Sequence, residues 1–121
     1  MKRILIVDDA RLMRNIIKNT LLEDQPYTIY EANNGRDALE FYKTHRPDLV
    51  TMDITMDIKN GVDTAKDILS FDRKARIIMI TSMGQENRMR ECIQAGVRDF
   101  IIKPFSKDRI KATVARHLSK N

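Results

Sequence analysis

Residues 4–9 read Ile-Leu-Ile-Val-Asp-Asp. Ile4, Leu5, Ile6 and Val7 make an unbroken apolar run, mostly β-branched. A strand buried on both faces shows that pattern. Two aspartates close it. The apolar residues that follow, Met13, Ile16, Ile17 and Leu21, recur at helical spacing. A strand, an acidic end and a helix are therefore predicted in the first two dozen residues.

The same unit returns four more times. Pro26 ends the first helix, and Tyr27 to Glu31 reads as a second strand, polar enough to lie at an edge. Asn34-Gly35 reads as a turn. Ala38, Leu39 and Tyr42 then mark a helix that stops at His45-Arg46-Pro47. Asp48 to Asp53 is a third strand. After the turn signal Asn60-Gly61, Val62, Ala65, Ile68 and Leu69 mark a third helix. Ile77 to Thr81 is a fourth strand. Met89, Cys92 and Ile93 give a fourth helix, with Gly96 suited to its left-handed C-terminal cap. Phe100 to Ile102 is a fifth strand. Ile110, Val114 and Leu118 give the last helix, behind Ser106 as N-cap. Strict alternation predicts an α/β fold, a five-stranded parallel sheet with helices on both faces.

Composition agrees. The chain has 121 residues, 42% hydrophobic and 32% charged, which suits one globular domain over 1–121 with its own core. Met1 and the fit of the ends around the first strand and last helix favour a single-domain protein. The lone Cys92 excludes an internal disulfide and fits a reducing compartment. No apolar run approaches the ~18 residues of a membrane span. Lys2 and Arg3 precede too short an apolar run for a secretory signal. A cytoplasmic monomer is expected. The net charge of +5 sits wholly in residues 84–121, which hold 9 basic and 4 acidic side chains. One basic face and an acidic partner follow from that, with nucleic acid as the rival partner.

Ligands of such sheets bind beyond the carboxyl ends of the strands. Those ends carry Asp8-Asp9, Asp53, Thr81-Ser82 and Lys103-Pro104. Alone, each has an ordinary explanation as a cap, a solvated charge or a strand former. Together they place three carboxylates, two hydroxyls and an ammonium on one rim. Close carboxylates repel, and a hard divalent cation relieves the repulsion. Lys103 suits a phosphoryl oxygen, Thr81 offers a hydroxyl, and one carboxylate can act as nucleophile toward phosphorus.

These motifs carry a resemblance. Ile-Val-Asp-Asp at 6–9, Met-Asp-Ile-Thr-Met at 52–56 with Gly61, Ile-Thr-Ser at 80–82, Ala-Gly at 95–96 and Lys-Pro-Phe at 103–105 form an ordered set. The chain resembles, over nearly its whole length, the receiver domains of bacterial two-component response regulators, most of all the CheY-like chemotaxis group. The resemblance implies a flavodoxin-like (βα)5 fold with strand order 2-1-3-4-5. It implies Asp53 as phosphoacceptor, and Mg²⁺ on Asp9, Asp53 and the Thr55 carbonyl, with Asp8 acting through water. Lys103, the Thr81 hydroxyl and the Ser82 amide would contact the phosphoryl group, and the Lys103-Pro104 bond would be cis. Phe100 takes the position of the family's aromatic switch. A histidine kinase (CheA-like) would donate the phosphoryl group. The responding surface would include Arg88, Met89, Arg98, Phe100, Lys107 and Lys111. A basic face with an apolar centre suits an acidic amphipathic segment, in chemotaxis that of a flagellar motor switch protein.

One departure stands out. The family's loop usually reads Met-Pro where this chain reads Met56-Asp57. The lost proline loosens the loop, and Asp57 adds a fourth carboxylate near the metal site. Thr55 and Met83 flank the path of a hydrolytic water and carry no group to orient it. Slow self-dephosphorylation and a separate phosphatase are expected. Met13 and Met56 read as packing residues and Cys92 as a small hydrophobe. Competing readings differ in what they require. A receiver serving another phosphorelay, or an interaction module independent of phosphorylation, shares the fold. Nucleic-acid binding lacks a base-reading element, an aspartyl-phosphate hydrolase lacks a general acid, and an anionic flavin conflicts with an acidic rim.

Overall fold

The computed structural model describes residues 1–56 and 58–119. Its elements run β1 (Arg3–Val7), α1 (Arg11–Asp24), β2 (Thr28–Ala32), α2 (Gly35–His45), β3 (Leu49–Asp53), α3 (Gly61–Phe71), β4 (Ile77–Ser82), α4 (Glu86–Ala95), β5 (Asp99–Lys103) and α5 (Lys107–Leu118). All pairings are parallel, and the strand order is β2-β1-β3-β4-β5. The expected fold and order are both present, and each strand lies within one residue of its predicted ends.

Alternation along the strands divides the core in two. Ile4, Ile6, Leu49, Ile78, Ile80 and Ile101 pack against Ile17 and Leu21 of α1 and Ile110 and Val114 of α5. Leu5, Val7, Val50, Met52 and Met79 point to the other face, where α2, α3 and α4 supply Ala38, Tyr42, Ile68 and Cys92. β2 is half-buried, as an edge strand should be.

Two turn readings need correction. Asn34 and Asn60 do not sit in free turns. Each is the N-cap of the following helix, its side-chain oxygen accepting from the amide of Asp37 or Asp63 at 2.9 Å. Asn-Gly suits either a hairpin turn or an N-cap, and here a helix follows at once. Gly96 closes α4 at φ 114° and Ser106 caps α5, both as expected. Ile16 and Ile93 lie on the outer sides of their helices, 41% and 59% exposed. Among the described residues, no helix is long and apolar enough to cross a membrane.

Candidate functional site

The parallel sheet fixes the site. β1, β3, β4 and β5 end side by side, so the residues after each strand meet at one rim. One carboxylate oxygen from each of Asp8, Asp9 and Asp53 lies within 4.8 Å of the others. Asp8 and Asp53 are buried and Asp9 is exposed. Lys103 reaches across from β5, its Nζ donating to Asp53 Oδ1 at 3.1 Å and lying 3.8 Å from Asp8 Oδ2.

Burial raises the pKa of Asp8. The Ala10 amide, donating to Oδ1 at 2.9 Å, and the Lys103 charge oppose that shift without cancelling it. Burial also raises Asp53, the neighbouring charge of Asp8 adds to it, and Lys103 offsets part. Asp8 Oδ2 is buried and accepts no hydrogen bond. Buried oxygens are rarely left so. Three convergent carboxylates with an orphaned oxygen fit a hard divalent cation such as Mg²⁺, which favours oxygen ligands and keeps part of its water.

The loop after Asp53 is built to pass close by. The Gly61 amide donates to the Ile54 carbonyl at 2.8 Å. A Cβ on Gly61 would overlap the Asp53 carbonyl oxygen and stand 2.9 Å from Ile54 Cα. Thr55 is exposed on this loop, and Met56 is buried in the core. Asp57 lies outside the described residues. Thr81 is 2% exposed, and its hydroxyl donates to the Ser82 carbonyl at 3.2 Å. Ser82 and Met83 are exposed at the same rim. The Lys103-Pro104 peptide is cis.

Residues 4–115 match the response regulator receiver domain. The chain belongs to the response regulator receiver family. It is 49% identical over 117 residues to the chemotaxis protein CheY of Bacillus subtilis, covering 97% of this chain and 98% of that one. Protein CcdB of the same organism is also 49% identical over 117 residues, covering 96% and 97%. The signal receiver domain of a LuxO repressor protein from Vibrio parahaemolyticus superposes with a TM-score of 0.89 at 32% identity, covering 97% of this chain and 89% of that one.

The residues expected on a responding face have these surroundings. Arg88 and Met89 on α4 are half-buried, Arg98 is exposed, and the half-buried Phe100 packs against the α2–α3–α4 side of the core. Lys107 and Lys111 turn the other way. Both donate to Glu23 of α1 at 3.1 Å and tie α5 to α1. Glu23, which lies outside the basic third, thereby offsets part of its charge, and within that third Arg116 pairs with Asp99.

Sequence reading passed over Asp99. Its Oδ1 accepts from the Phe100 amide at 2.8 Å, and its Oδ2 meets His117 Nε2 at 2.9 Å and the Arg116 guanidinium. Arg109 donates to the Phe100 carbonyl at 3.1 Å. The backbone of Phe100 is thus held from α5 on the outermost strand. Asp99 adjoins Phe100 in the chain, but its long-range partners on α5 could not be read from spacing. Cys92 is fully buried and its thiol is pushed up to about 11 by burial, as befits a packing residue.

Proposed function

We propose that this receiver is a phosphorylation-operated signalling switch in a two-component phosphorelay. The observation that carries the reading is the juxtaposition of Asp8, Asp9 and Asp53 with Lys103, one buried carboxylate oxygen left without a hydrogen bond. An Asp53 oxygen attacks phosphorus in the phosphohistidine of a kinase. The P–N bond breaks, the imidazole leaves with the electron pair, and an acyl phosphate forms on Asp53. Lys103 holds a phosphoryl oxygen as charge develops there, and the Thr81 hydroxyl and Ser82 amide take others. Asp9, Asp53 and the Thr55 carbonyl would hold Mg²⁺, with Asp8 through water, and the ion would supply charge neutralisation to the transferring group.

Thr81 turning from the Ser82 carbonyl toward the phosphoryl group vacates space into which the Phe100 ring moves. Phosphorylation then shifts a two-state equilibrium of α4, β5 and α5. The face of Arg88, Met89, Arg98 and Phe100 takes an acidic amphipathic segment. Similarity to chemotaxis regulators favours a CheA-like kinase and a motor switch target, in the cytoplasm. With no carboxylate or carboxamide at Thr55 or Met83 to orient water, the phosphoprotein is long-lived and a separate phosphatase resets it. The protein acts on no separate substrate. A second reading, service in a different phosphorelay, is favoured by the equal identity to protein CcdB, a relative that is not named for chemotaxis.

Intact-protein mass spectrometry after incubation with acetyl phosphate tests the site. A phosphoryl adduct that needs Mg²⁺ and is absent from Asp53→Asn is expected. A wild-type chain that never takes the adduct, or an Asp53→Asn chain that does, overturns the assignment.

A further inference from the structure

Gly35 opens α2, and it is buried. Glycine is a poor choice there on local grounds. It costs roughly 1 kcal/mol against alanine in a helix, and the first helical position favours residues with preset backbones. Its φ lies outside the left-handed region, so conformation does not require it. Space does. A Cβ on Gly35 would overlap Thr64 Oγ1 and approach the Lys59 carbonyl oxygen to 2.6 Å. The Gly35 amide donates to the Ile58 carbonyl at 3.2 Å.

These contacts bear on the loop that follows Asp53. Its base is closed within its own strand–helix unit. Gly61 bonds back to Ile54, and Thr64 Oγ1 donates to the Asn60 carbonyl at 2.8 Å. Lys59 adopts φ 58°, which sets its carbonyl against Gly35, and its ammonium pairs with Asp67. The bond from Gly35 comes from a different unit of the fold. It reaches the loop three residues beyond Thr55 and five beyond Asp53.

We propose that Gly35 is a positioning residue for the metal site: the start of α2 braces the loop after Asp53 through the Gly35–Ile58 bond, and the missing side chain lets the two backbones meet. This rests on the Mg²⁺ reading above. Any side chain at 35 drives the Lys59 carbonyl away and, through the loop, displaces the Thr55 carbonyl. α2, which holds none of the ligands, then sets metal affinity.

The test is calorimetric titration of the unphosphorylated full chain with MgCl₂. Gly35→Ala should weaken Mg²⁺ about tenfold, as outer-shell changes do at metal sites. Its melting temperature should fall, although helix propensity alone predicts a rise. In a Thr64→Ala background one of the two clashes is gone, and Gly35→Ala should cost less affinity. On the wild-type chain, NMR hydrogen exchange at the Gly35 amide should slow when MgCl₂ is added, a readout that survives even if the variant does not fold. Unchanged exchange, or a folded Gly35→Ala chain that binds Mg²⁺ within twofold of wild type, overturns the brace and leaves the Mg²⁺ site standing. A wild-type chain that binds no Mg²⁺ overturns both.

Discussion

Replacing Asp53 by asparagine should stabilise the metal-free fold and destroy its response to Mg²⁺. The metal-free site pits like charges against one another. At 4.8 Å between carboxylate oxygens, one such repulsion amounts to about 3.5 kcal/mol at an effective dielectric near 20. The Lys103 ammonium, 3.1 Å from Asp53, returns about 5 kcal/mol on the same scale. Attraction does not win, because desolvation of the buried carboxylate and the charge of Asp8 together outweigh it. The ionised form of Asp53 is therefore disfavoured in the folded chain.

Asparagine keeps the shape and an acceptor for Lys103 but carries no charge. Two such repulsions, from Asp8 and Asp9, less the Lys103 attraction leave about 2 kcal/mol to be gained, a rise of several degrees in melting temperature. Mg²⁺ reverses the order. At a hundredfold excess over its dissociation constant, a ligand adds about 2.7 kcal/mol to the wild-type chain, and Asp53→Asn forfeits most of that. Thermal melts at pH 7 in EDTA and then in MgCl₂ make the comparison. If Asp53→Asn melts below wild type in EDTA, Lys103 pairing outweighs burial and repulsion, and the electrostatic account of the site is wrong.

Three shorter predictions accompany it. Gly61→Ala should destabilise the chain by about 3 kcal/mol or more in urea melts, since its Cβ would overlap the Asp53 carbonyl; a loss under 1 kcal/mol would mean the loop yields easily. Burial acts to raise Asp99, but hydrogen bonds from His117, the Phe100 amide and Arg116 outweigh it and hold its pKa below the ordinary 3.8. A lowered folded pKa contributes stability that is present above 3.8 and is lost as pH falls through the folded value, so Asp99→Asn should flatten the acid limb of a stability–pH profile below about pH 4. Cys92, buried and with its thiol pushed up to about 11, should resist a disulfide reagent at pH 8 until the chain is unfolded; fast labelling of the native chain would show that α4 opens readily.

Much of this was legible in the chain. Ile4 to Val7, Leu49 to Met52 and Ile77 to Ile80 are strands buried on both faces, and apolar runs of that kind, broken only at Thr51, have few other homes. Once the strands are parallel, the rim residues follow from where each strand stops. That is why Asp8, Asp9, Asp53 and Lys103 could be grouped before any distance was known. What was not legible has a common cause. Spacing does not tell which neighbour a helix turns toward, so it does not reveal that Lys107 and Lys111 both pair with Glu23 on α1. Asn34-Gly35 and Asn60-Gly61 carry chemistry that serves two backbones, and only the helix that follows chooses between them. Asp99 reaches His117 across 18 residues and a cross-fold contact that no periodicity encodes.

The site also shows what the fold supplies to the chemistry. Three carboxylates held together are unfavourable, and a loose surface would let them move apart. Here Asp8 and Asp53 extend strands whose preceding residues are fully buried, so separating them would disrupt the sheet. Gly61 closes the loop from one side and Gly35 meets it from the other. The repulsion is therefore retained rather than relaxed, and anything that relieves it gains in affinity by the same amount. A divalent cation relieves it by neutralisation. This is the sense in which the structure is preorganised: the free energy that burial of Ile4 to Val7 and Leu49 to Met52 provides is partly stored as unrelieved charge at their ends. A variant that softened the sheet beneath Asp53, such as Met52→Ala, should then lose Mg²⁺ affinity along with stability, although the Met52 side chain packs in the core. Calorimetry on that variant would separate the two accounts: unchanged Mg²⁺ affinity at reduced stability would mean that the loops, and not the strands, hold the carboxylates in place.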